Sequence, residues 1–197
     1  MVTMPWFFCD RRVKEMENEL VEATDIWRWS ENILKPVDKI AKIVKKTQLY
    51  ERRKILVTAH LYGVDHYLQG KDDIDAHVGK LTEMIQKVVN PKKAILYIAS
   101  SNAELYGKAF DSRGFKTIWK EMYLTEPKEL DKLFGASWLS LEASSIDFAM
   151  CERGDYYIGI SRSSFDSVMA SKRLALGFPR NTTLAYDNKC DPQTRDS

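Results

Sequence analysis

From residue 50 onward, short runs of strand formers alternate with amphipathic helical segments, and that alternation excludes most folds. Strands separated by helices imply a parallel sheet covered on both faces. The firmest element is Ala94-Ile-Leu-Tyr-Ile-Ala99, apolar at every position, as a strand buried on both faces must be. Ile55 to Ala59 is a second β run, ending at His60, and Phe115 to Trp119 reads as a third. Tyr156 to Ile160 is the last, too short and too β-prone for a helix. Between them, Asp75 to Val89 carries a stripe of Val78, Leu81, Ile85 and Val88, and Asn90-Pro91 stops it. Ser100-Ser101-Asn102 reads as the cap of a helix from Ala103 to Phe110. Pro127 to Phe134 and Ser140 to Cys151 read as two further helices, the second turning Leu139, Ala143, Ile146, Ala149 and Met150 inward. After the last strand, Phe165, Val168 and Met169 mark another apolar stripe, with Ser161, Ser163 and Ser164 as candidate N-caps and Asp166 in the first turn. The expected fold is therefore α/β: a three-layer, Rossmann-like nucleotide-binding domain with a parallel sheet.

Upstream, Arg11 to Glu22 reads as a charged helix, and Trp27 and Trp29 mark a segment that docks on something. Pro36 is expected to open a helix that buries Val37, Ile40, Ala41 and Val44. The chain divides into a helical extension over 1–50, the α/β domain over 51–187 and a polar, frayed tail over 188–197.

Several function classes find no support. A chain of 197 residues, 44% hydrophobic and 29% charged, is an ordinary globular protein. A net charge of +2 makes no case for global attraction to nucleic acid or to a membrane. Lys42, Lys45, Lys46, Arg52, Arg53 and Lys54 are the most basic stretch and read as a solvated helix face and loop. Cys9, Cys151 and Cys190 have neither CxxC nor metal spacing; Cys9 and Cys190 could pair if the chain ends meet, and Cys151 reads as a buried helix residue. His60, His66 and His77 do not form a ligand set. Asp72, Asp73 and Asp75 lack the closing Glu of a calcium loop and read as a loop and helix N-cap, so no metal is expected. There is no Walker or GxGxxG loop and no Gly-x-Ser-x-Gly. No run is long enough to span a membrane, and Met1 to Cys9 is too short for a signal peptide. Asn181-Thr182-Thr183 is an N-glycosylation sequon, a triplet common by chance.

Three strand ends carry polar clusters: His60 to Asp65, Ser100 to Asn102, and Ser161 to Ser164. In a parallel sheet these gather at the carboxyl edge, where ligands bind. A helix that starts there turns its free N–H groups and positive dipole end into the crevice, which suits a phosphate.

Three blocks carry a resemblance. They are His60-Leu-Tyr-Gly-Val-Asp65, Leu96-Tyr-Ile-Ala-Ser-Ser-Asn102, and Ile146-Asp-Phe148 followed by Gly154-Asp-Tyr-Tyr-Ile-Gly159 and Ser163-Ser-Phe165. They are similar to the blocks His-x-Arg-x-x-Asp, Tyr-Ile-Ala-Thr-Asp and Asp…Ala-Asp-x-Phe-Ile-Gly-x-x-x-Ser-Ser-Phe. The chain thus resembles the donor-binding half of the fucosyltransferase-like glycosyltransferases, the protein O-fucosyltransferase and α1,6-fucosyltransferase group. The resemblance implies a GT-B-type fold, GDP-fucose as donor with no cofactor, inverting transfer to a glycan or protein acceptor, and a secretory location in the ER or Golgi lumen. It implies that Asp155 lies near the nucleoside and that Ser163, Ser164 and the Phe165 amide hold the β-phosphate. It also implies that His60 and Asp65 shape the donor pocket.

The chain departs from those blocks at Tyr62, which stands where the family carries an Arg against the leaving diphosphate. A phenol donates one hydrogen bond but brings no positive charge, and removing such a donor costs on the order of 10²–10³ in rate. Arg162 is the obvious substitute, with Arg153 and Arg173 behind it. Ser100-Ser101 stands where the family often has an acidic residue, and the stretch before His60 is too short for the family's second, acceptor-holding half. Two expectations follow: a transferase, or a non-catalytic relative that binds a nucleotide sugar or a protein partner.

Overall fold

The computed structural model describes residues 28–61, 71–124, 141–159 and 163–185, together with 19, 22 and 23. Helix α1 (Glu31–Tyr50) precedes the sheet. Then follow β1 (Ile55–His60), α2 (Lys71–Gln86), β2 (Ala94–Ala99), α3 (Ala103–Asp111), β3 (Lys116–Ile118), α4 (Leu141–Cys151), β4 (Tyr156–Gly159), α5 (Ser164–Ala175) and β5 (Thr183–Ala185). The five strands form one sheet in the order β3-β2-β1-β4-β5, and every pairing is parallel. β1 lies at the centre, with Ile55 to His60 opposite Ala94 to Ala99 on one side and Val57 to Ala59 opposite Tyr156 to Ile158 on the other.

The layers follow from strand periodicity. Successive residues of a strand point to opposite faces. Leu56, Ile95, Tyr97 and Ala99 pack with Val37, Ile40 and Val44 of α1, Ile146 and Met150 of α4, and Met169 and Ala170 of α5. Val57, Ala59, Leu96 and Ile98 pack with Val78, Leu81 and Ile85 of α2 and with Tyr106 and Phe110 of α3. The strand order explains this division. From β1 the chain winds outward through β2 to β3, returns to β4 on the other side of β1, and winds outward again to β5. Right-handed crossovers run in opposite directions place their helices on opposite faces. β1 and β4 therefore flank the switch point, where the connections leaving the sheet part and open a crevice.

The structure differs from the sequence reading at several element ends. α1 begins at Glu31 and carries Pro36 inside it rather than at its start. Pro36 is buried in the helix's core-facing stripe, and that packing outweighs the single backbone bond that proline cannot donate. α2 begins at Lys71, so positions 72, 73 and 75 lie in its first turns rather than in a loop. β5 carries no strand signal beyond Thr183-Leu-Ala185 and exists because it pairs with β4. Trp29 does dock: its Nε1 donates to Glu152 Oε2 at 2.9 Å and its ring meets Phe148 at 5.7 Å. Cys151 is fully buried. Trp27, Cys9, Cys190, the 127–134 helix and the tail lie outside the described residues.

Candidate functional site

A cavity of about 300 Å³ opens over the carboxyl edge of the sheet. Its walls are the chain segments that leave the strands. His60 closes β1, Ala99, Ser100 and Ser101 follow β2, and Lys120 and Glu121 follow β3. Ala143, Ser144 and Asp147 come from one face of α4, and Ser163, Ser164 and Phe165 open α5. The structure thus brings together His60, Ser163, Ser164 and Phe165, from strand ends far apart in sequence. Tyr62, Asp65, Ser161 and Arg162 lie outside the described residues.

Ser163 is the N-cap of α5: its Oγ accepts from Asp166 N at 3.3 Å and its carbonyl from Ser167 N at 2.9 Å. A capping hydroxyl fixes where the helix begins and hence where its free N–H groups point. Ser100 plays a similar part after β2, its Oγ accepting from Asn102 N at 3.2 Å, while Asn102 itself makes no side-chain cap bond.

His60 is held from two sides. Its Nδ1 lies 2.9 Å from Asp166 Oδ1, and its ring stacks on Phe165, centroids 4.0 Å apart at 19°. A carboxylate accepts, so Nδ1 carries the hydrogen and the tautomer is set. Asp166 is fully buried and also accepts from the hydroxyl of Tyr157 on β4. Gly159 makes this possible, since a Cβ there would fall 2.6 Å from the Asp166 carboxyl carbon and 3.0 Å from the Tyr157 hydroxyl. Phe165 in turn meets Phe148 of α4 edge-on at 4.8 Å.

The end of the cavity beside β3 is built from charge. The Lys120 ammonium meets Asp147 Oδ2 at 2.5 Å and Glu121 Oε1 at 3.0 Å. The Tyr97 hydroxyl donates to Asp147 Oδ1 at 2.7 Å. Burial alone would lower the Lys120 pKa, but the Asp147 and Glu121 carboxylates outweigh it and hold the ammonium above the ordinary lysine value. Burial raises the Glu121 carboxyl, against the pull of Lys120. Burial and the Asp147 charge push the Tyr97 phenol well up. Glu121 Oε2 is secluded from solvent and meets no donor among the described residues. An unmet buried acceptor of this kind costs on the order of 1–3 kcal/mol.

Asp155 requires a correction. It precedes β4 at the amino edge of the sheet, the far side from the cavity. Its Oδ2 accepts from Leu56 N at 2.7 Å and its own N donates to Leu56 O at 2.8 Å, so it ties the starts of β4 and β1 together. It does not line the cavity. Arg173 is committed to the same edge. Its guanidinium is buried and donates to Gly154 O at 2.7 Å, Asp155 O at 3.2 Å and Thr183 Oγ1 at 3.0 Å. Burial lowers its pKa to about 10, which leaves it charged at neutral pH. Arg153 pairs with Asp38 at 2.7 Å on the surface. Neither arginine lines the cavity.

Sequence reasoning missed Asp166 as the partner of His60, and missed Lys120, Glu121 and Asp147 as lining residues. Asp147 stood within a recognised block without a role. Tyr97 was the available signal: a hydroxyl inside an otherwise aliphatic buried strand must find a partner. Lys120 was legible too, as the first charge after the β3 run. Among the described residues no group of His, Cys, Asp and Glu could hold a metal ion, and no helix is long and apolar enough to cross a membrane.

No family model and no curated protein sequence matches the chain. Among solved structures it is similar to the crystal structure of POFUT1 in complex with GDP-fucose, with a TM-score of 0.50 and 13% sequence identity. The match covers 89% of this chain and 49% of that one, so the chain spans about half the length of the protein it resembles. At that identity the likeness is one of fold. The chain is a three-layer α/β domain with a five-stranded parallel sheet, and its fold is similar to that of part of the POFUT1 structure.

Proposed function

We propose that the crevice binds a nucleotide sugar of the GDP-fucose type and that the protein is glycosyltransferase-like, acting on a glycan or protein acceptor. The observation that carries this reading is the meeting of the α5 N-terminus with His60 and Phe165 in one cavity at the carboxyl edge. The helix end offers N–H donors and a positive dipole to a diphosphate. In an inverting transfer the acceptor hydroxyl oxygen attacks the anomeric carbon as the diphosphate leaves with the bonding pair, and the hydroxyl proton passes to solvent or to the leaving phosphate. The charge that develops on the leaving group needs donors fixed in advance. The α5 amides and the Ser164 hydroxyl are suited to that role, with Arg162 next in sequence and Tyr62 in the position of the family Arg.

One observation favours a second reading, binding of the nucleotide sugar or of a protein partner without transfer. Lys120 is the one cation among the described lining residues, and two carboxylates already hold it. The decisive experiment is thermal unfolding with GDP and with GDP-fucose. A ligand that binds only the native state stabilises it by about 2.7 kcal/mol at a hundredfold excess over Kd. A rise in Tm with both supports donor binding, and no rise at millimolar ligand rejects it in favour of partner binding. Transfer or donor hydrolysis measured before and after Tyr62→Arg then separates the two readings. A gain of about 10²-fold or more points to the missing charge. No gain, with donor still bound, favours the non-catalytic one.

A further inference from the structure

Trp29 lies across one turn of α4. Its indole Nε1 donates to Glu152 Oε2 at 2.9 Å, and its ring meets Phe148 at 5.7 Å, tilted by 57°. Phe148 and Glu152 are four residues apart and so are neighbours on one helix face. Phe148 then meets Phe165 edge-on at 4.8 Å, and Phe165 stacks on His60 at 4.0 Å. A row of rings thus runs from the segment before α1 to the cavity, which Phe165 and His60 line and which Trp29 and Phe148 do not. Phe165 is the second residue of α5 and only half-buried, so the rings on its face and on its edge decide where it sits. Interiors are close-packed, and a ring removed at one end of such a row leaves space into which its neighbour relaxes. Asp166 holds the other side of His60 at 2.9 Å, so a loosened Phe165 moves against a fixed imidazole.

We propose that Trp29 is a positioning residue for the ligand site: docked on Glu152 and Phe148, it fixes Phe165 and, with it, the first turn of α5 and the stack on His60. The coupling is mechanical and runs through Phe148. Its effect on ligand affinity rests on the nucleotide-sugar reading above, and its effect on the rings does not. His60 reports on the rings directly. The Cε1 proton of an imidazole stacked on a phenyl ring is moved upfield by the ring current. The chain has three histidines, so loss of one signal in His60→Gln assigns it.

The test combines the His60 proton signal with calorimetric titration of GDP. In Trp29→Ala the signal is expected to move downfield, toward that of an unstacked imidazole, and the Kd for GDP to rise by about 2- to 30-fold. Trp29→Phe keeps a ring against Phe148 and is expected to restore most of both. Phe148→Leu is expected to reproduce both changes, and adding Trp29→Ala to it to change little more, because the two act through one contact. Ile85→Ala lowers stability from the core on the other face of the sheet and is expected to leave both readouts where they are. An unmoved His60 signal in folded Trp29→Ala overturns the proposal. So does a full additional change in the double variant, or the same changes in Ile85→Ala. A moved signal with an unchanged Kd overturns it as well, since the coupling then stops short of the ligand. Trp29→Leu takes the place of Trp29→Ala if the latter does not fold. If wild type does not bind GDP, the nucleotide-sugar reading fails, and the His60 signal alone decides whether Trp29 positions the cavity wall.

Discussion

At the scale of single residues, the site is a set of side chains fixed by buried partners. Lys120 and Asp147 form the clearest pair. Removing one member of a buried ion pair strands the other, at about 3–5 kcal/mol. Lys120→Met is expected to lose that much in urea unfolding, and Lys120→Met with Asp147→Asn is expected to recover part of it. The pH dependence follows from the same pair. The folded Lys120 pKa stands above its ordinary value of 10.5. Its stabilisation is complete below that value and is lost as pH rises through the folded one. The wild-type Tm should therefore fall across that alkaline window, and the Lys120→Met curve should be flatter there. Gly159→Ala presses a methyl against Asp166 and is expected to cost about 1–3 kcal/mol in the same unfolding assay. Most of this was illegible in the sequence. Asp166 read only as a residue of the first turn of a helix, because nothing local reveals that His60, more than a hundred residues away, lies against it.

At the scale of elements, the sequence was far more legible. β2 was readable because every residue is apolar, and α4 because its core-facing positions recur at helical spacing. Helix starts were less legible, since α1 and α2 begin before the residues that look like their signals. β5 was not readable at all: three residues carry no periodicity, and the strand depends on Arg173 holding Thr182 and Thr183 while β4 supplies the ladder. Arg173→Lys keeps the charge but cannot span those acceptors. It is expected to cost about 3 kcal/mol or more and to release the β5 amides to hydrogen exchange before the rest of the sheet. Cys151, at the end of α4, sits under the sheet with its thiol pKa pushed well up by burial and by the Asp147 charge. Alkylation mapped by peptide mass should reach Cys151 only in denaturant, because the thiolate is the reactive form.

At the scale of the whole molecule, the two edges of the sheet do different work. The amino edge is tied by Asp155 and Arg173, and the carboxyl edge holds the cavity. The sequence reading placed Asp155 with the ligand because a motif gives the order of residues along a strand but not which end faces the crevice. A ligand in the cavity should slow hydrogen exchange at the α5 N-terminus and at 120–122 together, leaving the Asp155 and Arg173 edge unchanged. The contact between Gly159 and Asp166 also sets a rule for sequence drift. Gly159 cannot take on a side chain while Asp166 stays where it is, and Asp166 cannot leave without releasing both Tyr157 and His60. A lineage that replaces that glycine must rebuild four positions at once, so among relatives of this chain the identities at 60, 157, 159 and 166 should be inherited as a block.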